Sequence, residues 1–484
     1  MLNCDMLIRH ANLLDGTGGP SIVADVAVRE DRICAVGPAL DYRASSVIDA
    51  DGLCLSPGFI DTHTHDDNFV LQDPGMPAKL SQGVTTVIVG NCGISAAPVT
   101  LRGALPDPMN LLGDASAFRF PTFAAYRAAI EAARSAVNVA ALVGHTALRC
   151  NQMDRLDRTA SVAEIAAMRA QLEEALDNGA LGLSSGLAYL SAYAASTEEV
   201  LGVAQPLAAA GAIYVTHMRS EASTILDAMA EAFAIGRLSH VPVILSHLKC
   251  AGVDNWGRSG EVLQALDTAR ESQSVGCDCY PYAAGSSTLD LRQVDSRVTI
   301  TINWSNPHPE AAGRSLAEIA EMWKTTQLEA AKKLQPAGAI YHSLAEEDMR
   351  RILQHPATMI GSDGLPHDPR PHPRLWGTFP RVLGRYCRDA KILTLPDAIR
   401  KMTEMPAQRF GLRERGMIRE GYFADLVLFD PATIIDKAAF SDPARPAEGI
   451  RGVWVNGALA WTAEGATKSR SGRFLARSRT SWIQ

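Results

Sequence analysis

The chain has 484 residues, of which 47% are hydrophobic and 20% are charged, and its formal net charge is −7 at pH 7. This length exceeds one ordinary single-core domain, and the composition is typical of folded globular proteins, so we expect one large domain with an accessory domain. An acidic chain has no overall basic field to hold a phosphate backbone, which argues against a nucleic-acid partner.

The sequence also carries no sign of secretion or of a membrane. Its first residues, MLNCDMLIRHANLLDG, contain no basic region followed by a long apolar run. No uninterrupted apolar stretch of 18 or more residues is visible, which argues against a membrane span. The nine cysteines are an odd number without a repeating framework. We therefore expect a cytoplasmic protein without a membrane partner.

Apolar runs predict the elements in chain order. From Asp5 to about Leu55, short runs separated by turn residues predict a small β-sheet. From about residue 57 to residue 410, strand-like runs such as GVTTVIVG, GAIYVTH and VPVILSH alternate with helical stretches. This alternation predicts a parallel sheet, and the number of units favours a closed (β/α)₈ barrel of the TIM type.

Strand-like runs return after Gly416, in GMIREGYFADLVLFDP and IRGVWVNGALAWTAEG. The expected α/β fold therefore has a catalytic barrel at residues 57–414. Both ends of the chain, residues 1–56 and 415–484, are predicted to form one small β-sandwich.

Two segments depart from the regular pattern. Residues 286–347 show no clean alternation of strands and helices, and we predict that they form an insertion, or lid, over the barrel mouth. The basic run KSRSGRFLARSR, at residues 468–479, is predicted to be a solvated tail.

Histidines and an aspartate stand where predicted strands end. His63 and His65 follow an apolar strand, and residues two apart on a strand face the same side, so both can reach one metal ion. His217, His247 and Asp363 each stand at the polar end of another apolar strand, where parallel barrels assemble their active sites. Taken singly, each has a structural alternative, a packing histidine or a helix cap. Their joint occurrence in this order indicates a metal site.

Cys92, in VIVGNCGIS, also ends an apolar strand. A thiolate binds Zn²⁺ well and brings a negative charge to the site. From the residue alone, a buried and inert cysteine is the alternative.

The order of these residues resembles that of the metal ligands in the amidohydrolase superfamily. In many of its members a carboxylated lysine bridges two metals, but this chain has no lysine between Lys79 and Lys249. The strings GNCGIS, GHTALR, SSGLAYL, HMRSE, SHLKCAG and YPYAAGSSTL resemble the D-aminoacylase branch, the N-acyl-D-amino-acid deacylases. One departure is Ala194 and Ala195, where that branch commonly has proline.

This resemblance implies a zinc-dependent hydrolase that removes acyl groups from N-acyl-D-amino acids, and the D configuration is implied by the resemblance only. It makes Asp363 the general base and acid. The second of two metal sites would be weaker and need not be filled for activity. The implied ligands are Cys92, His217 and His247 for a tightly held zinc, and His63, His65 and Asp363 for the weaker site.

Recognition of the free α-carboxylate of such a substrate needs fixed cations and hydrogen-bond donors. Lys249 is two residues beyond His247, on the same predicted face of the strand end. The resemblance adds Tyr280, Ser286 and Arg374. Surface ion pairs are the alternative for Lys249 and Arg374.

Relatives divide between those that act on neutral, mainly hydrophobic D-residues and those that act on acidic ones. An acidic side chain demands an extra arginine, and Arg292 and Arg297 are candidates unless they face solvent. We expect a substrate whose amino-acid side chain is neutral and mainly hydrophobic. His367 and His372 flank Asp363 and are expected to be ordinary loop histidines.

Two other functions are compatible with a barrel of this kind. A cyclic amidohydrolase, like hydantoinase or dihydroorotase, would share the barrel and metals, but the missing bridging lysine and the presence of Cys92 argue against it. A non-catalytic scaffold protein would have lost ligands, whereas all of the expected ones are present. The preferred acyl group, the occupancy of the second metal site and the oligomeric state stay open.

Overall fold

The computed structural model describes residues 2–478. Its strands are β1 (Leu2–Leu13), β2 (Ile22–Arg29), β3 (Arg32–Gly37), β4 (Tyr42–Asp49), β5 (Cys54–Pro57), β6 (Phe59–Asp61), β7 (Val84–Val89), β8 (Asn138–Ala141), β9 (Val143–Gly144), β10 (Gly182–Gly186), β11 (Ile213–His217), β12 (Val243–Leu245), β13 (Val275–Cys279), β14 (Gly285–Thr288), β15 (Ile300–Ser305), β16 (Ala337–Tyr341), β17 (Thr358–Ile360), β18 (Leu426–Phe429), β19 (Ile450–Val455), β20 (Ala458–Thr462) and β21 (Gly465–Ala466).

The helices are α1 (Phe69–Gln72), α2 (Pro77–Leu80), α3 (Phe123–Ala133), α4 (His145–Gln152), α5 (Val162–Asp177), α6 (Leu190–Tyr193), α7 (Thr197–Ala204), α8 (Leu207–Ala210), α9 (Ile225–Ser239), α10 (Ser259–Arg270), α11 (Leu316–Met322), α12 (Gln327–Leu334), α13 (Glu346–Gln354), α14 (Arg374–Arg381), α15 (Leu395–Met402) and α16 (Glu404–Arg409). A π-helical segment, Val382–Asp389, continues α14. Within residues 2–478, no helix has both the length and the apolar character needed to span a bilayer.

Eight parallel strands form the barrel in the described part of the chain, with β8 and β9 counted as one strand interrupted at Leu142. Strands β6, β7 and β8 pair in parallel, and β9 to β13 continue in parallel to β17. A parallel bridge between Thr64 and Gly364 joins the ends of β6 and β17. Apolar residues from successive strands, among them Val215 of β11 and Ile244 of β12, fill the interior. The predicted (β/α)₈ barrel is confirmed.

Both ends of the chain build one nine-stranded sheet. Its order is β21-β20-β19-β18-β5-β1-β2-β3, and β4 pairs with β1. The two ends meet where β18 runs antiparallel to β5, with Leu426 opposite Pro57. The β-sandwich of both termini is therefore confirmed, whereas the boundaries at residues 56 and 415 stay predictions. Residues 479–484 of the predicted second part lie outside the described residues.

The insertion between β13 and β17 has regular structure of its own. Strands β14, β16 and β15 form an antiparallel sheet with a separate apolar core that α11 and α12 complete. Alternation of parallel strands and helices does not reveal such a sheet, and the bounds of the predicted insertion, residues 286–347, stay a prediction. Ser286 and Tyr341 from this sheet line the cavity at the barrel mouth.

The prediction of a solvated basic tail is wrong for residues 472–477. The backbone of Val139, in β8, donates to the carbonyl of Arg473 and accepts from the amide of Leu475. Phe474, between them, is buried, with its ring centroid 5.9 Å from that of Phe123. The neighbouring charges have partners as well, because Arg473 pairs with Asp31 at 2.7 Å and Arg477 donates to the Ala180 carbonyl at 3.1 Å. Arg479, the last residue of the run, lies outside the described residues.

Candidate active site

The predicted ligands all meet at one end of the barrel. Each either ends a barrel strand or follows it directly, so the carboxyl ends of neighbouring parallel strands bring them together. All but His217, which is partly exposed, are buried. They are His63 and His65 after β6, Cys92 after β7, His217 at the end of β11, His247 after β12 and Asp363 after β17.

The distances among His63, Cys92, His247 and Asp363 fit a common metal ion. The Cys92 sulfur lies 3.2 Å from Nε2 of His63 and 3.3 Å from Nε2 of His247. Oδ1 of Asp363 lies 3.2 Å from Nε2 of His65 and 3.6 Å from Nε2 of His63. Donors around a tetrahedral zinc lie about 3.3–3.6 Å apart, given zinc–ligand distances of about 2.0–2.3 Å. One thiolate among imidazoles and a carboxylate is a donor set that zinc prefers.

Three of the predicted ligands adopt a left-handed backbone. The φ angles are +54° at Cys92, +37° at His247 and +49° at Asp363. Side chains with a Cβ rarely occupy this region, and such strain persists where surrounding contacts impose it, often at functional sites. Here Asp278 accepts from the His247 amide at 2.9 Å, and the His63 carbonyl accepts from the Asp363 amide at 2.7 Å. The loops are therefore held in the conformation that aims these side chains inward.

The charge state of Cys92 suits metal binding. Burial by itself raises the pKa of the Cys92 thiol, but the neighbouring imidazoles of His63 and His247 outweigh it and hold the pKa well below its ordinary value. The thiolate is the form that binds zinc.

Asp363 is likewise held as a carboxylate. Burial raises its pKa, but the guanidinium of Arg374 and the hydrogen bond from His65 bring the pKa well below its ordinary value. Nη1 of Arg374 lies 2.9 Å from Oδ2 of Asp363.

Sequence reasoning missed two carboxylates that support the ligands. Asp278, in β13, lies 3.3 Å from Nδ1 of His63, and Glu221 lies 2.8 Å from Nδ1 of His247. A charged residue in the otherwise apolar strand VGCDC was the available signal for Asp278. Glu221 lies four residues beyond His217 and 3.8 Å from its Nε2, but its shorter contact is with His247, from another strand, which no local pattern predicts.

The four residues predicted to bind the substrate carboxylate are neighbours. The Arg374 guanidinium donates to the Ser286 carbonyl at 2.9 Å, and its carbon lies 4.6 Å from the ring centroid of Tyr280. Nζ of Lys249 lies 2.6 Å from Glu221. Arg374 is fully buried and Lys249 is 14% exposed, so neither is a surface ion pair. Within residues 2–478, the Tyr280 hydroxyl has no hydrogen-bond partner.

The backbone places Lys249 differently from the prediction. Strand β12 ends at Leu245, so His247 and Lys249 lie in the loop that follows and not on a strand face. The left-handed turn at His247 brings Nζ of Lys249 to 2.7 Å from Nδ1 of that histidine. The expectation of a shared strand face is wrong.

Two adjoining cavities lead to the ligands. The inner cavity, of about 100 Å³, is lined by His65, Lys249, Tyr280 and Asp363 together with the apolar side chains of Leu111 and Leu365. The outer cleft, of about 740 Å³, is more open and contains several charged residues. His217 and Glu221 line both cavities.

Both candidate arginines for an acidic substrate are already paired. Arg292 contacts Asp290 at 2.6 Å and donates to the Ala188 carbonyl at 2.8 Å. Arg297 contacts Asp254 and Asp295, each at 2.7 Å. Arg292 lines the inner cavity and the outer cleft, whereas Arg297 lines only the cleft.

The two histidines near Asp363 make backbone and packing contacts. Nδ1 of His372 accepts from the Arg374 amide at 3.0 Å, and burial lowers the pKa of His372 well below its ordinary value. His367 packs edge-on against Phe69, and burial lowers its pKa. Both histidines are therefore neutral at pH 7.

Comparisons with known proteins agree with this fold and with a metal centre. The family model of the amidohydrolase family matches residues 46–460. D-aminoacylase of Alcaligenes xylosoxydans xylosoxydans is 49% identical over 98% of both chains. N-acyl-D-aspartate deacylase of the same organism is also 49% identical, over 98% of this chain and 95% of its own.

Two solved structures are similar over the whole length. A D-aminoacylase structure with a binuclear metal centre has a TM-score of 0.96 and 49% identity, and the match covers 98% of this chain and 100% of the other. N-acyl-D-glutamate deacylase of Bordetella bronchiseptica, in complex with zinc and a phosphonate inhibitor, has a TM-score of 0.95 and 44% identity with the same coverage.

Barrel, sandwich and metal-ligand geometry together define a metal-dependent hydrolase of the amidohydrolase type. The chain belongs to the amidohydrolase family and, within it, to the D-aminoacylase subfamily.

Proposed function

We propose that this chain hydrolyses the amide bond of N-acyl-D-amino acids, with zinc, to a carboxylate and a free D-amino acid. The observation that carries the proposal is the buried group of His63, Cys92, His247 and Asp363, whose donor atoms all lie within 4.8 Å of one another. Next to this group lies the fixed guanidinium of Arg374. Such a site suits a substrate that has both an amide to hydrolyse and an anionic group to hold.

Two sets of ligands share the site. Cys92, His217 and His247 would hold the tightly bound zinc, and His63, His65 and Asp363 would form a second, weaker site. The Cys92 sulfur is about equally far from Nε2 of His63 and Nε2 of His247, so it lies between the two sets. D-aminoacylase, the similar protein, is activated by one metal and attenuated by a second, and we propose the same division here.

Zinc, when bound, polarises the amide carbonyl and lowers the pKa of water to about 7. The chain itself moves the proton. Asp363, held as a carboxylate by Arg374, would accept a proton from the attacking water at Oδ1 and return it to the departing nitrogen. An amine leaves only after protonation, so one carboxylate serves as base and then as acid. The ring of His65, 3.2 Å from the same oxygen, fixes its direction.

Lys249, Tyr280, Ser286 and Arg374 would bind the α-carboxylate of the substrate. The unpartnered hydroxyl of Tyr280 is a donor available within the described residues, and it lines the inner cavity. When the carboxylate, the amide carbonyl and the side chain are each held at one place, the mirror-image substrate cannot fill all three. This geometry would select the D enantiomer.

We propose a neutral, mainly hydrophobic side chain for the substrate. Leu111, Leu344 and Leu365 line the inner cavity. Among the described residues, Arg292 is the arginine that lines this cavity, and it is already paired with Asp290 at 2.6 Å. An acidic side chain at Arg292 would lie beside the Asp290 carboxylate, and repulsion between the two anions disfavours acidic D-residues.

The test is hydrolysis of N-acetyl-D-methionine, N-acetyl-D-glutamate and N-acetyl-L-methionine by purified protein of known zinc content. We expect turnover of the D-methionine substrate, little of the D-glutamate substrate and none of the L-methionine substrate. Preference for D-glutamate would assign Arg292 to substrate binding. Inactivity on all three by zinc-loaded protein would contradict deacylation and favour a cyclic amide as substrate.

We also infer a reducing compartment, the cytoplasm, because all nine cysteines are free, and eight of them are buried. The expected partner is the small-molecule substrate. The test is to count free thiols in protein purified from cells without reductant and in protein treated with reductant. The two counts should be equal.

A further inference from the structure

Glu221 lies where the inner cavity and the outer cleft meet, and it contacts two parts of the active site at once. Its Oε1 lies 2.8 Å from Nδ1 of His247 and 2.6 Å from Nζ of Lys249. Its side chain is only 12% exposed. The carboxylate therefore connects a predicted zinc ligand with a predicted substrate-binding residue.

The contact with His247 decides which ring nitrogen faces the metal. Nε2 of this ring points to the Cys92 sulfur, at 3.3 Å, and Nδ1 points to Glu221. A carboxylate that accepts a hydrogen bond from protonated Nδ1 leaves Nε2 unprotonated, which is the state that binds zinc.

The contact with Lys249 removes an electrostatic conflict. Nζ of Lys249 lies 2.7 Å from Nδ1 of His247, and two protonated nitrogens at that distance repel each other. The Glu221 carboxylate accepts from the Lys249 ammonium and lies 2.8 Å from the ring nitrogen, so its negative charge faces both, and the His247 carbonyl accepts from the same ammonium at 2.8 Å. Without the carboxylate, a buried ammonium and a protonated ring nitrogen would face each other unpaired.

We propose that Glu221 is a positioning residue that couples the metal half of the site to the carboxylate-binding half. It directs Nε2 of His247 toward the zinc and holds the ammonium of Lys249 toward the inner cavity. The role of Lys249 rests on the proposed function, whereas the role of His247 requires only that the site binds zinc.

Glu221→Gln tests both roles because it keeps the size of the side chain and removes its charge. We expect metal affinity to fall about 10–100-fold, which is the usual effect of losing such a supporting carboxylate. It is measured as faster transfer of zinc to a chromophoric chelator, without substrate. We also expect a higher KM for N-acetyl-D-methionine, because Lys249 loses its anchor. Glu221→Asp, which keeps the charge, should restore part of both properties.

Glu231→Gln is the matched control. Glu231 lines the same outer cleft and forms an ion pair of similar length, 2.8 Å, with Arg219, but it contacts none of the predicted ligands. The substitution Glu231→Gln therefore removes one paired carboxylate from the same cleft without changing a contact of His247 or Lys249. We expect zinc transfer and KM to stay at the parent values.

Zinc transfer from Glu221→Gln at the parent rate would overturn the proposal. If this variant does not fold, the double variant Glu221→Gln/Lys249→Met, which leaves no unpaired ammonium, is used for the same zinc measurement with Lys249→Met as its reference. Faster transfer in the double variant supports the role toward His247, and equal transfer overturns it. Failure of the deacylase assignment would appear separately, as parent protein that binds zinc but cleaves no N-acyl-D-amino acid.

Discussion

The inner cavity and the outer cleft hold ion pairs of the same chemical type in opposite surroundings. Asp363 and Arg374, beside the inner cavity, lie 2.9 Å apart and are nearly fully buried. Arg297 and Asp254, at the outer cleft, lie 2.7 Å apart, with side chains 53% and 74% exposed. Distance does not distinguish the two pairs. Burial does, because breaking a buried pair leaves an uncompensated charge, whereas water replaces the lost partner at the surface.

The largest effect should come from the charge of Asp363. Asp363→Asn keeps the shape of the side chain but cannot accept the proton from water, so we expect kcat to fall about 10²–10⁴-fold, the usual contribution of a general base. KM should change much less. Steady-state kinetics with zinc content determined on the same sample measures this, and near-normal kcat with zinc bound would rule out Asp363 as the base.

A third ion pair is buried but lies away from the catalytic residues, so it tests the effect of burial without an effect on catalysis. Glu199 contacts Arg149 and lies 3.2 Å from His145, all fully buried and outside the cavity lining. Burial by itself raises the pKa of Glu199, but bonds from His145, the Ala160 amide and Arg149 lower it to about 2, from 4.5. Because the folded-state pKa is the lower one, the stabilisation is complete above pH 4.5 and is lost as pH falls toward 2.

Glu199→Gln should therefore lower the free energy of unfolding at pH 7 by about 3 kcal/mol, with kcat of the folded enzyme unchanged. Denaturant unfolding at a series of pH values checks this. The difference between parent and variant should shrink as the pH falls from 5 to about 2. A difference that does not depend on pH would contradict the assigned pKa.

Arg374→Met should have the next largest effect. The variant leaves Asp363 without its buried partner and removes a donor for the substrate carboxylate, so kcat/KM should fall by about 30-fold, or about 2 kcal/mol. Arg374→Lys keeps the charge but not the planar group, and should restore only part of this loss. Rates with N-acetyl-D-methionine for both variants provide the measurement. Full activity of Arg374→Met would exclude the guanidinium from substrate binding.

The exposed arginines should matter least. Arg292→Ala and Arg297→Ala each remove an exposed ion pair whose lost partner water replaces, so kcat/KM for N-acetyl-D-methionine should change less than about fivefold. The same variants assayed with N-acetyl-D-glutamate sharpen the comparison. A selective loss with Arg292→Ala would place the acidic side chain of a substrate at that position.

Local patterns in the sequence predicted most of the fold and the ligand types. Alternating apolar strands and helices predicted the barrel. The antiparallel sheet of the insertion was not predicted, because its pattern differs from that of a βα repeat. The burial of Phe474 was not predicted either, since one apolar residue in a basic run does not indicate which surface it packs against. In the site, residues that end strands were predictable. Glu221 was not, and the only signal for Asp278 was its charge within an apolar strand.

By itself, the sequence determined which donors are present and that strand ends carry them, because strand periodicity and the polar ends of apolar runs are local properties. Only the tertiary structure decided how these groups pair. His65 and Asp363 are 298 residues apart, and they meet because the closing of the barrel brings β17 beside β6. The loop between β17 and α14 sets Arg374 against Asp363, and the loops after β11 and β12 bring Glu221 to Lys249. Charges so far apart in the chain acquire partners, and hence fixed protonation states, only in the folded barrel.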